Sequence, residues 1–447
     1  MDFIEICRQF IAIDSSPSVG NFEAAQFASK IAKSWGLSVE IQEEAHNGSA
    51  QANIIVRTSD DRPAREFMLQ THLDTVDPGN FALWTKTGAN PYNASIYQEA
   101  IYGLGTAEVK LDFLCKLRAL AKLKNEKFKL PPVVVGTYGE ELGMAGAVKL
   151  LRKKKVNATL ALVGEPTEMR LLYAGKGFAV VDIEIPFSQE ELHFRREHDT
   201  NERSSSQSKI FLGKAAHSSS PQHGESAILK MLQYLSKLPD GIAVMDLDAG
   251  TNFNTVPAQG VLEFDMAGGL KDTIAKKITH LSRAIEDLEK DFLNYPDSAF
   301  TPEYPTLNIG MVRTHDDHIK FSGCCRIPPS VNQETYERWM ENLRTVCAET
   351  GSTFRVTEYK QPFRSDLASP FSRACQDQLR ESNLPIECGT QSVTNEANVF
   401  SRLGIECLVI GPGQGVGNSH SPEENVKLSQ LEAATEFYVG IMKRIGI

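Results

Sequence analysis

The sequence predicts a mostly parallel α/β core with a separate α+β domain inserted into it. Three observations support this prediction. The chain has 447 residues, roughly three times the length of a typical single domain. Short apolar runs alternate with helical patterns over residues 1–175, which is typical of a parallel sheet covered on both faces. Alternating strand patterns and longer helices follow, and the buried α/β pattern returns near residue 366.

The elements of the first part follow from the spacing of apolar residues. Helical spacing predicts helices over residues 22–35, 111–123 and 145–154. Short continuous apolar runs predict buried strands over residues 52–56, 67–70, 133–138 and 160–163. Since these runs are apolar throughout, we expect the strands to lie between layers of helices.

The middle part has a different pattern. Residues 179–185 alternate between apolar and polar, which predicts a half-buried strand. Further strands are predicted over 210–213, 261–266, 306–311 and 319–324. Helical patterns lie between or after these strands, over 226–238, 270–293 and 333–349. Residues 188–208 are charged and serine-rich without periodicity, which predicts an exposed hairpin or loop insertion.

The last part returns to the pattern of the core. It contains predicted helices over 370–382, 398–403 and 427–442, and a buried strand over 407–410. The predicted organisation is therefore a discontinuous α/β core, residues 1–176 and 365–447, with a lid or dimerisation domain over residues 177–364.

Composition excludes several classes of protein. The formal charge is −10, from 47 basic and 57 acidic residues, which argues against nucleic acid or an anionic membrane as a partner. The eight cysteines form no CxxC motif, so the sequence gives no support for a thiolate zinc finger. No apolar run approaches membrane-spanning length, and the acidic N-terminus is unlike a signal peptide. We therefore predict a cytoplasmic protein with reduced thiols.

Histidine and carboxylate side chains follow the predicted core strands, where α/β folds place their ligands. His72 and Asp74 alternate on an extended segment, so their side chains share a face. A metal-bound imidazole usually has its other nitrogen held by a carboxylate or a carbonyl, and Asp74 is placed for that purpose. Taken alone, the pair also fits an ordinary strand end at the surface.

Five further residues carry the same types of side chain. Two glycines precede Glu108, at a predicted helix start where an acid also interacts favourably with the helix dipole. Glu140 and Glu141 repel each other unless a cation or a shared proton compensates them, although a solvated acidic turn is the alternative. Glu165 ends another apolar strand, and His420 follows the sequence GPGQG.

These motifs, in this order, resemble the zinc-dependent metallopeptidase and deacylase family that includes acetylornithine deacetylase, succinyl-diaminopimelate desuccinylase, aminoacylase and carboxypeptidase G. The resemblance runs along essentially the whole chain. Its segments are THLDTVDPG, Trp84, YGLGTAEVK, GEELGMAGA, GEPT, AGKG, GKAAHSSSPQHGESAI, NTVP, RIPP and GPG…HSPEE. Chance agreement of ten such segments in the right order is negligible.

The resemblance implies two zinc ions per chain. His72 and Glu165 would bind one ion, Glu141 and His420 would bind the other, and Glu108 would bridge the two. Oxygen and imidazole ligands suit zinc, and two ions about 3.5–4 Å apart can share a water molecule and lower its pKa. Cobalt or manganese could take the same ligands, since availability as well as affinity decides the ion.

The resemblance also implies roles for five other residues. Glu140 would be the general base, and Asp74 would orient His72. In the inserted domain, His217 would polarise the scissile carbonyl in the active site of a neighbouring subunit, which implies a homodimer. Asn254 and Arg326 would hold substrate oxygens, and the planar guanidinium of arginine suits a carboxylate. Without the resemblance, His217 would be an unremarkable strand-end histidine and Arg326 a surface arginine.

Three positions depart from the pattern of the family. Glu108 stands where aspartate is usual, and Leu104 stands where arginine is common. Cys324, two residues before Arg326, stands where the family usually has aspartate. The first two departures suggest, as an alternative, a catalytically impaired binding protein on the same scaffold.

The predicted function is that of a metal-dependent amidohydrolase that removes an N-acyl group from an amino acid with a free α-carboxylate. Glu165 in GEPT is similar to the deacetylase and desuccinylase branch, whereas peptidase members often carry aspartate there. A dipeptidase or carboxypeptidase of the same family is the alternative within this class. The expected substrate is a small N-acyl amino acid or a short peptide.

Overall fold

A computed structural model describes residues 2–46, 48–200 and 207–447. It contains two compact units. The core unit comprises Met1–Ala174, Phe363–Thr390 and Asn395–Ile447, and the inserted unit comprises Gly175–Pro362 and Gln391–Thr394. These boundaries lie two residues from the predicted ones, and the short segment 391–394 joins the inserted unit. The role of the inserted unit as a lid or dimerisation domain stays a prediction.

The helices and strands are numbered in chain order. The first stretch contains α1 Phe3–Ile11, α2 Phe22–Ser34, β1 Ser38–His46, β2 Ser49–Arg57, β3 Glu66–His72, β4 Ser95–Tyr97, β5 Ala100–Tyr102, α3 Lys110–Lys122, β6 Pro132–Thr137, α4 Ala145–Arg152, β7 Ala158–Val163 and β8 Leu171–Gly175. The middle stretch contains β9 Gly177–Pro186, α5 Gln189–Thr200, β10 Gln207–Leu212, β11 Ala216–His217, α6 Ala227–Leu235, β12 Ile242–Ala249, β13 Thr255–Val256, β14 Gln259–Met266, α7 Ile274–Phe292, β15 Thr306–Thr314, β16 His318–Ile327, α8 Gln333–Glu349 and β17 Thr353–Lys360. The last stretch contains β18 Phe363–Arg364, α9 Pro370–Glu381, β19 Cys388–Gln391, α10 Ala397–Phe400, β20 Glu406–Val409, β21 Asn425–Lys427 and α11 Leu428–Gly446.

The central sheet of the core unit has the strand order β1-β2-β6-β3-β7-β20-β8-β18. The central strands β6, β3, β7 and β20 run parallel, whereas β1, β2 and β8 pair antiparallel with their neighbours. The prediction of a mostly parallel sheet is confirmed. Because parallel strands end at the same edge of a sheet, the residues after β3, β6 and β7 meet at one edge.

Both faces of this sheet are buried, as the continuous apolar runs predict. Leu69 and Val134 pack on one face against α1, α2, α3, α9 and α11. Met68 and Val135 pack on the other face against α4 and α10. Each fully buried side chain of this kind contributes roughly 1.5–3 kcal/mol to folding. This packing fixes the strand that ends at His72.

The inserted unit is built on a separate antiparallel sheet. Its strand order is β10-β14-β12-β15-β16-β9-β17, and each pairing along this path is antiparallel. Alternate residues of β9, such as Val181 and Ile183, pack with α6, α7 and α8 on one face of the sheet. Phe178, Val180 and Cys324 form a smaller cluster on the other face. The predicted α+β arrangement is therefore confirmed.

The prediction of a hairpin or loop over residues 188–208 is wrong where the structure describes this segment. Residues 189–200 form α5, and β10 begins at Gln207, while residues 201–206 lie outside the described part. Ser188 and Glu191 form a reciprocal cap, in which the Ser188 N–H donates to Glu191 Oε2 at 3.0 Å and the Glu191 N–H donates to Ser188 Oγ at 3.2 Å. Glu191 Oε1 also accepts a hydrogen bond from the Ile274 N–H at 2.7 Å. Capping and contact with α7 thus stabilise a helix that lacks apolar periodicity.

Two predictions from composition concern cysteines and membrane spans. All eight cysteines lack a disulfide partner. In the described ranges, no helix combines the length and the apolar character that crossing a membrane would require.

Candidate metal centre

Six side chains meet at the carboxyl edge of the core sheet. They form three overlapping groups of potential metal ligands, and within each group the ligand atoms lie within 4.8 Å of one another. The six residues are His72, Glu108, Glu140, Glu141, Glu165 and His420. The structure therefore brings together every residue for which the resemblance implies metal binding, as well as the expected base. Their individual roles stay predictions.

His72 is the last residue of β3 and is buried. Its Nδ1 lies 3.0 Å from the Asp74 main-chain carbonyl oxygen and 3.6 Å from the Asp74 carboxylate. The carbonyl is thus the nearer partner, although the carboxylate was expected to orient the ring. The Asp74 carboxylate accepts a hydrogen bond from the Glu141 N–H at 3.1 Å. With Nδ1–H donating to the carbonyl, Nε2 is the nitrogen that faces the cluster.

Glu108 lies between the two histidines of the cluster. Its Oε1 is 3.8 Å from His72 Nε2, and its Oε2 is 3.8 Å from His420 Nε2. Each carboxylate oxygen therefore faces a different imidazole, which is the placement required of a ligand shared by two ions. The preceding loop needs glycine at position 105, because φ is +87° and a Cβ there would lie 2.7 Å from Lys110 Cδ.

Glu140 and Glu141 follow β6, and Glu165 follows β7. His420 Nε2 lies 2.9 Å from Glu141 Oε1, and the His420 side chain is 46% exposed. His420 itself has a left-handed backbone conformation, with φ of +57°. The exposed ring leaves one side of the cluster open to solvent, which gives a small molecule a path to it.

The electrostatics of the cluster favour a cation. Burial and neighbouring carboxylates raise the pKa of Glu140 well above its usual range, and burial together with Glu108 and Glu140 does the same for the pKa of Glu165. Burial alone would lower the pKa of His420, but its hydrogen bond to Glu141 and the charge of Glu108 raise that pKa to about 9. Crowded carboxyl groups of this kind are stabilised when a cation replaces their protons.

The donor set fits a divalent metal ion. His72 Nε2 is buried and has no hydrogen-bond partner among the described residues, and it lies 3.8 Å from Glu108 Oε1. Imidazole nitrogen and carboxylate oxygen are ligands that zinc, cobalt and manganese accept. A buried nitrogen without a partner is costly unless a ligand satisfies it, and a metal ion would do so.

Metal binding is expected to release protons, and the affinity for the ion is expected to rise with pH. Ligands must lose their protons before they bind, and His72, Glu165 and His420 hold protons through their raised pKa values. The rise should continue to about pH 9, where His420 becomes neutral without an ion. Calorimetric titration of the ion-free protein with Zn²⁺, in buffers of different ionisation enthalpy, measures the released protons. A pH-independent affinity would contradict this expectation.

Glu396 is a buried carboxyl group near the site that the sequence reasoning did not identify. Its Oε2 accepts hydrogen bonds from Thr137 Oγ1 at 2.8 Å and from Gln70 Nε2. Gln70 lies two residues before His72, so Glu396 connects the ends of β3 and β6 beneath the cluster. Burial raises its pKa to about 7. The only signal in the sequence was an acid beside a predicted helix start.

Three predicted substrate or catalytic residues of the inserted unit form one hydrogen-bonded group. Asn254 Nδ2 lies 3.1 Å from His217 Nε2, and Arg326 Nη2 donates to Asn254 Oδ1 at 2.9 Å. The Arg326 guanidinium lies 4.2 Å from the centre of the Phe178 ring and is buried, unlike a surface arginine. Burial and the charge of Arg326 lower the pKa of His217, so its imidazole is neutral at pH 7.

The remaining two departures from the family pattern are buried. Leu104 belongs to the core, and its N–H donates to the Pro91 carbonyl oxygen at 2.9 Å. Cys324 Sγ donates to the Phe253 carbonyl oxygen at 3.3 Å and lies 3.9 Å from Asn254 Oδ1. Cys324 therefore contacts the group that contains His217 and Arg326.

Comparison with known proteins agrees with this fold. A profile of Peptidase family M20/M25/M40 matches residues 68–444. Acetylornithine deacetylase from Klebsiella pneumoniae (strain 342) is 24% identical over 450 residues, which cover 97% of this chain and 95% of the relative. Aminoacylhistidine dipeptidase from Vibrio alginolyticus has a TM-score of 0.67 at 15% identity, covering 99% and 96% of the two chains. A dinuclear metal binding peptidase from Bacillus subtilis has a TM-score of 0.54 at 10% identity, covering 100% and 99%.

Proposed function

Because the chain belongs to Peptidase family M20/M25/M40 and is a metal-dependent hydrolase of that family, we propose that it removes the N-acyl group from an amino acid with a free α-carboxylate. The observation that carries this proposal is the cluster of six side chains around the unpartnered His72 Nε2. The similarity in sequence to acetylornithine deacetylase, along nearly the full length of both chains, supports the choice of an N-acyl amino acid.

Two zinc ions per chain would be held by the cluster. His72 and Glu165 would bind the first, Glu141 and His420 the second, and Glu108 both. The groups of potential ligands support this division, since Glu108 belongs to one group with His72 and Glu165 and to another with Glu141 and His420. When bound, such ions polarise a carbonyl oxygen and lower the pKa of a water molecule. Cobalt or manganese ions fit the same donors.

Glu140 is the proposed general base. It lies in the cluster beside Glu141, and the proposed ligand set leaves its carboxylate free of metal. A base accepts a proton from the attacking water and passes it to the leaving nitrogen, which requires a carboxylate within reach of both. Asp74 would support it indirectly, because its contacts connect the backbone of Glu141 to the ring of His72.

The group in the inserted unit would bind the substrate. Arg326 Nε is buried without a hydrogen-bond partner among the described residues, so a donor is available for the α-carboxylate of the substrate. Asn254 holds the other side of the guanidinium and would position it. His217 is neutral, partly exposed and adjacent, and its Nε2 accepts from Asn254 Nδ2. After that hydrogen bond is released, His217 would donate to the oxygen of the scissile carbonyl as negative charge develops there.

We further propose a homodimer in which His217 serves the active site of the partner subunit. The strand β10 lies at the edge of the inserted sheet, and its Ile210 and Leu212 side chains are 67% and 63% exposed. An edge strand with exposed apolar side chains is suited to pairing with another chain.

The unpaired cysteines support a location in the cytoplasm, where thiols stay reduced.

Two alternatives compete with this proposal. A dipeptidase is favoured by the fold of the Vibrio alginolyticus dipeptidase, which is similar to this one. A catalytically impaired binding protein is suggested by Glu108 and Leu104, but both oxygens of Glu108 still face the two histidines. This placement supports glutamate as the bridging ligand despite its extra methylene.

Metal analysis and a substrate screen separate the three functions. Purified protein is expected to bind about two zinc ions per chain and to hydrolyse N-acetyl or N-succinyl amino acids faster than dipeptides. Faster hydrolysis of dipeptides would support the peptidase instead. A protein that binds fewer than two ions and cleaves neither class of substrate would support the impaired binding protein.

Replacing Glu108 with aspartate is expected to leave both metals bound and activity largely intact. Aspartate is the ordinary bridge in the family that the sequence resembles, and the glycines before Glu108 permit a small adjustment of the backbone. Zinc content and kcat/KM of the variant test this expectation, with Glu108→Ala as the control that should lose metal. Loss of both ions from Glu108→Asp would show that the loop is built around glutamate.

A further inference from the structure

We propose that Glu424 is a positioning residue, which holds the loop of Glu108 in place through two main-chain hydrogen bonds. Glu424 Oε1 accepts hydrogen bonds from the N–H groups of Ala107 at 2.8 Å and of Glu108 at 3.0 Å. The Glu424 carbonyl oxygen accepts a third, from the Gly103 N–H at 3.0 Å. Glu424 is fully buried, although it lies 316 residues from Glu108 in the sequence.

The carboxylate of Glu424 contacts this loop and little else. Its Oε2 has no hydrogen-bond partner among the described residues, so the hydrogen bonds of the carboxylate go to Ala107 and Glu108 alone. Burial raises the pKa of Glu424 to about 8, so its hold on the loop comes from the two hydrogen bonds and not from a fixed negative charge.

A short pair of strands anchors the loop of Glu108 and the segment that contains Glu424. The strands β5 and β21 pair antiparallel, with Tyr102 opposite Asn425. The Glu108 loop starts directly after β5, and Glu424 directly precedes β21. Asn418 closes the second segment, because its Nδ2 donates to the Asn425 carbonyl oxygen at 2.9 Å and its Oδ1 accepts from the Asn425 N–H at 3.1 Å.

The segment from Asn418 to Asn425 therefore carries both a candidate metal ligand, His420, and the positioning residue, Glu424. His420 lies inside the loop that Asn418 and Asn425 close, and its Nε2 faces both Glu108 and Glu141. Glu424, four residues later, fixes the backbone on which Glu108 is mounted. The separation between His420 and Glu108 is thus set within one hydrogen-bonded unit, and this separation decides how the two would share an ion. The inference rests on the proposed metal-binding role of Glu108.

The first experiment measures zinc affinity. Glu424→Met removes the acceptor at similar side-chain length, Glu424→Gln keeps an acceptor without the charge, and Glu423→Gln is the control. Glu423 is adjacent but accepts from the Lys86 N–H, away from the loop. Titration with chelator-buffered Zn²⁺ at a temperature where each protein is folded should show a loss of about 10–100-fold in Glu424→Met. Glu424→Gln should show a smaller loss, and Glu423→Gln none.

The second experiment needs no metal. Hydrogen–deuterium exchange of the ion-free proteins should show faster exchange of the peptide that covers residues 103–109 in both Glu424 variants, and unchanged exchange in Glu423→Gln. A residue that only adds stability would lower the melting temperature but leave the affinity of the folded protein unchanged. Wild-type zinc affinity with wild-type exchange in folded Glu424→Met would overturn the proposal. If the wild-type protein binds no divalent ion, the proposed function fails, and the exchange result still decides whether Glu424 holds the loop.

Discussion

Replacing Glu140 with glutamine is expected to lower kcat by about 10²–10⁴-fold while the fold and the metal content stay unchanged. Glutamine has nearly the same shape, but its amide cannot accept the proton of the attacking water. Glu140 is not needed as a ligand, since the proposed ligand set is complete without it. The pKa of Glu140 is raised by burial and by the carboxylates around it, which shows that the position favours proton uptake before any ion binds.

Glu141→Gln is the matched comparison, because the two residues are neighbours in sequence and in the cluster. Glu141 Oε1 lies 2.9 Å from His420 Nε2, and this substitution removes a proposed anionic ligand, so it should lower the zinc content. Steady-state kinetics, elemental analysis and thermal unfolding of both variants give the comparison. Retention of most of the wild-type kcat by Glu140→Gln would show that the assigned role is wrong.

Replacing His217 with alanine is expected to lower kcat by about 10²–10³-fold without loss of metal, which is the usual cost of removing one donor to a developing oxyanion. In the proposed function, the core cluster would supply acids and imidazoles for metal binding and proton transfer, and His217 would supply the neutral donor. Its pKa is lowered by burial and by Arg326, so the effect should persist across neutral pH. Kinetics and zinc content of the purified variant measure both parts of this expectation.

Mixing the two inactive variants tests the shared site. A mixed dimer of His217→Ala and Glu140→Gln subunits contains one site with an intact base and an intact donor, so activity should return on subunit exchange. Mass spectrometry of differently tagged subunits confirms the exchange. No recovery despite exchange, or a monomer in light scattering, would mean that His217 acts within its own chain or has a structural role.

The arrangement of the core could be predicted because its signals are local. The apolar runs that end at residues 70, 138 and 163 are strands in the structure, and parallel strands deliver their last residues to one edge. The helix α5 could not be predicted from periodicity, since its apolar residues are few. The pair Ser188 and Glu191 carried the signal of a capped helix start, which the absence of periodicity obscured.

The partners of the site were harder to predict than its candidate ligands. The candidate ligands lie in short motifs, several of them beside glycines, and the resemblance to the family implies a role for each. Glu396 and Glu424 act through contacts with Gln70 and Ala107, which are more than 300 residues away in sequence, and no local pattern encodes such contacts. Asp74 was expected to orient His72 through its carboxylate, but the nearer contact to His72 is made by its carbonyl group.

The central claim is that the cluster holds two ions with Glu108 between them. The most direct test is a crystal structure of the zinc-loaded protein, with anomalous diffraction measured on both sides of the zinc absorption edge. We expect two zinc peaks about 3.5–4 Å apart, one beside His72 and Glu165 and the other beside Glu141 and His420, with Glu108 contacting both. A fully loaded crystal with a single peak in the cluster, or with zinc bound elsewhere, would contradict the account.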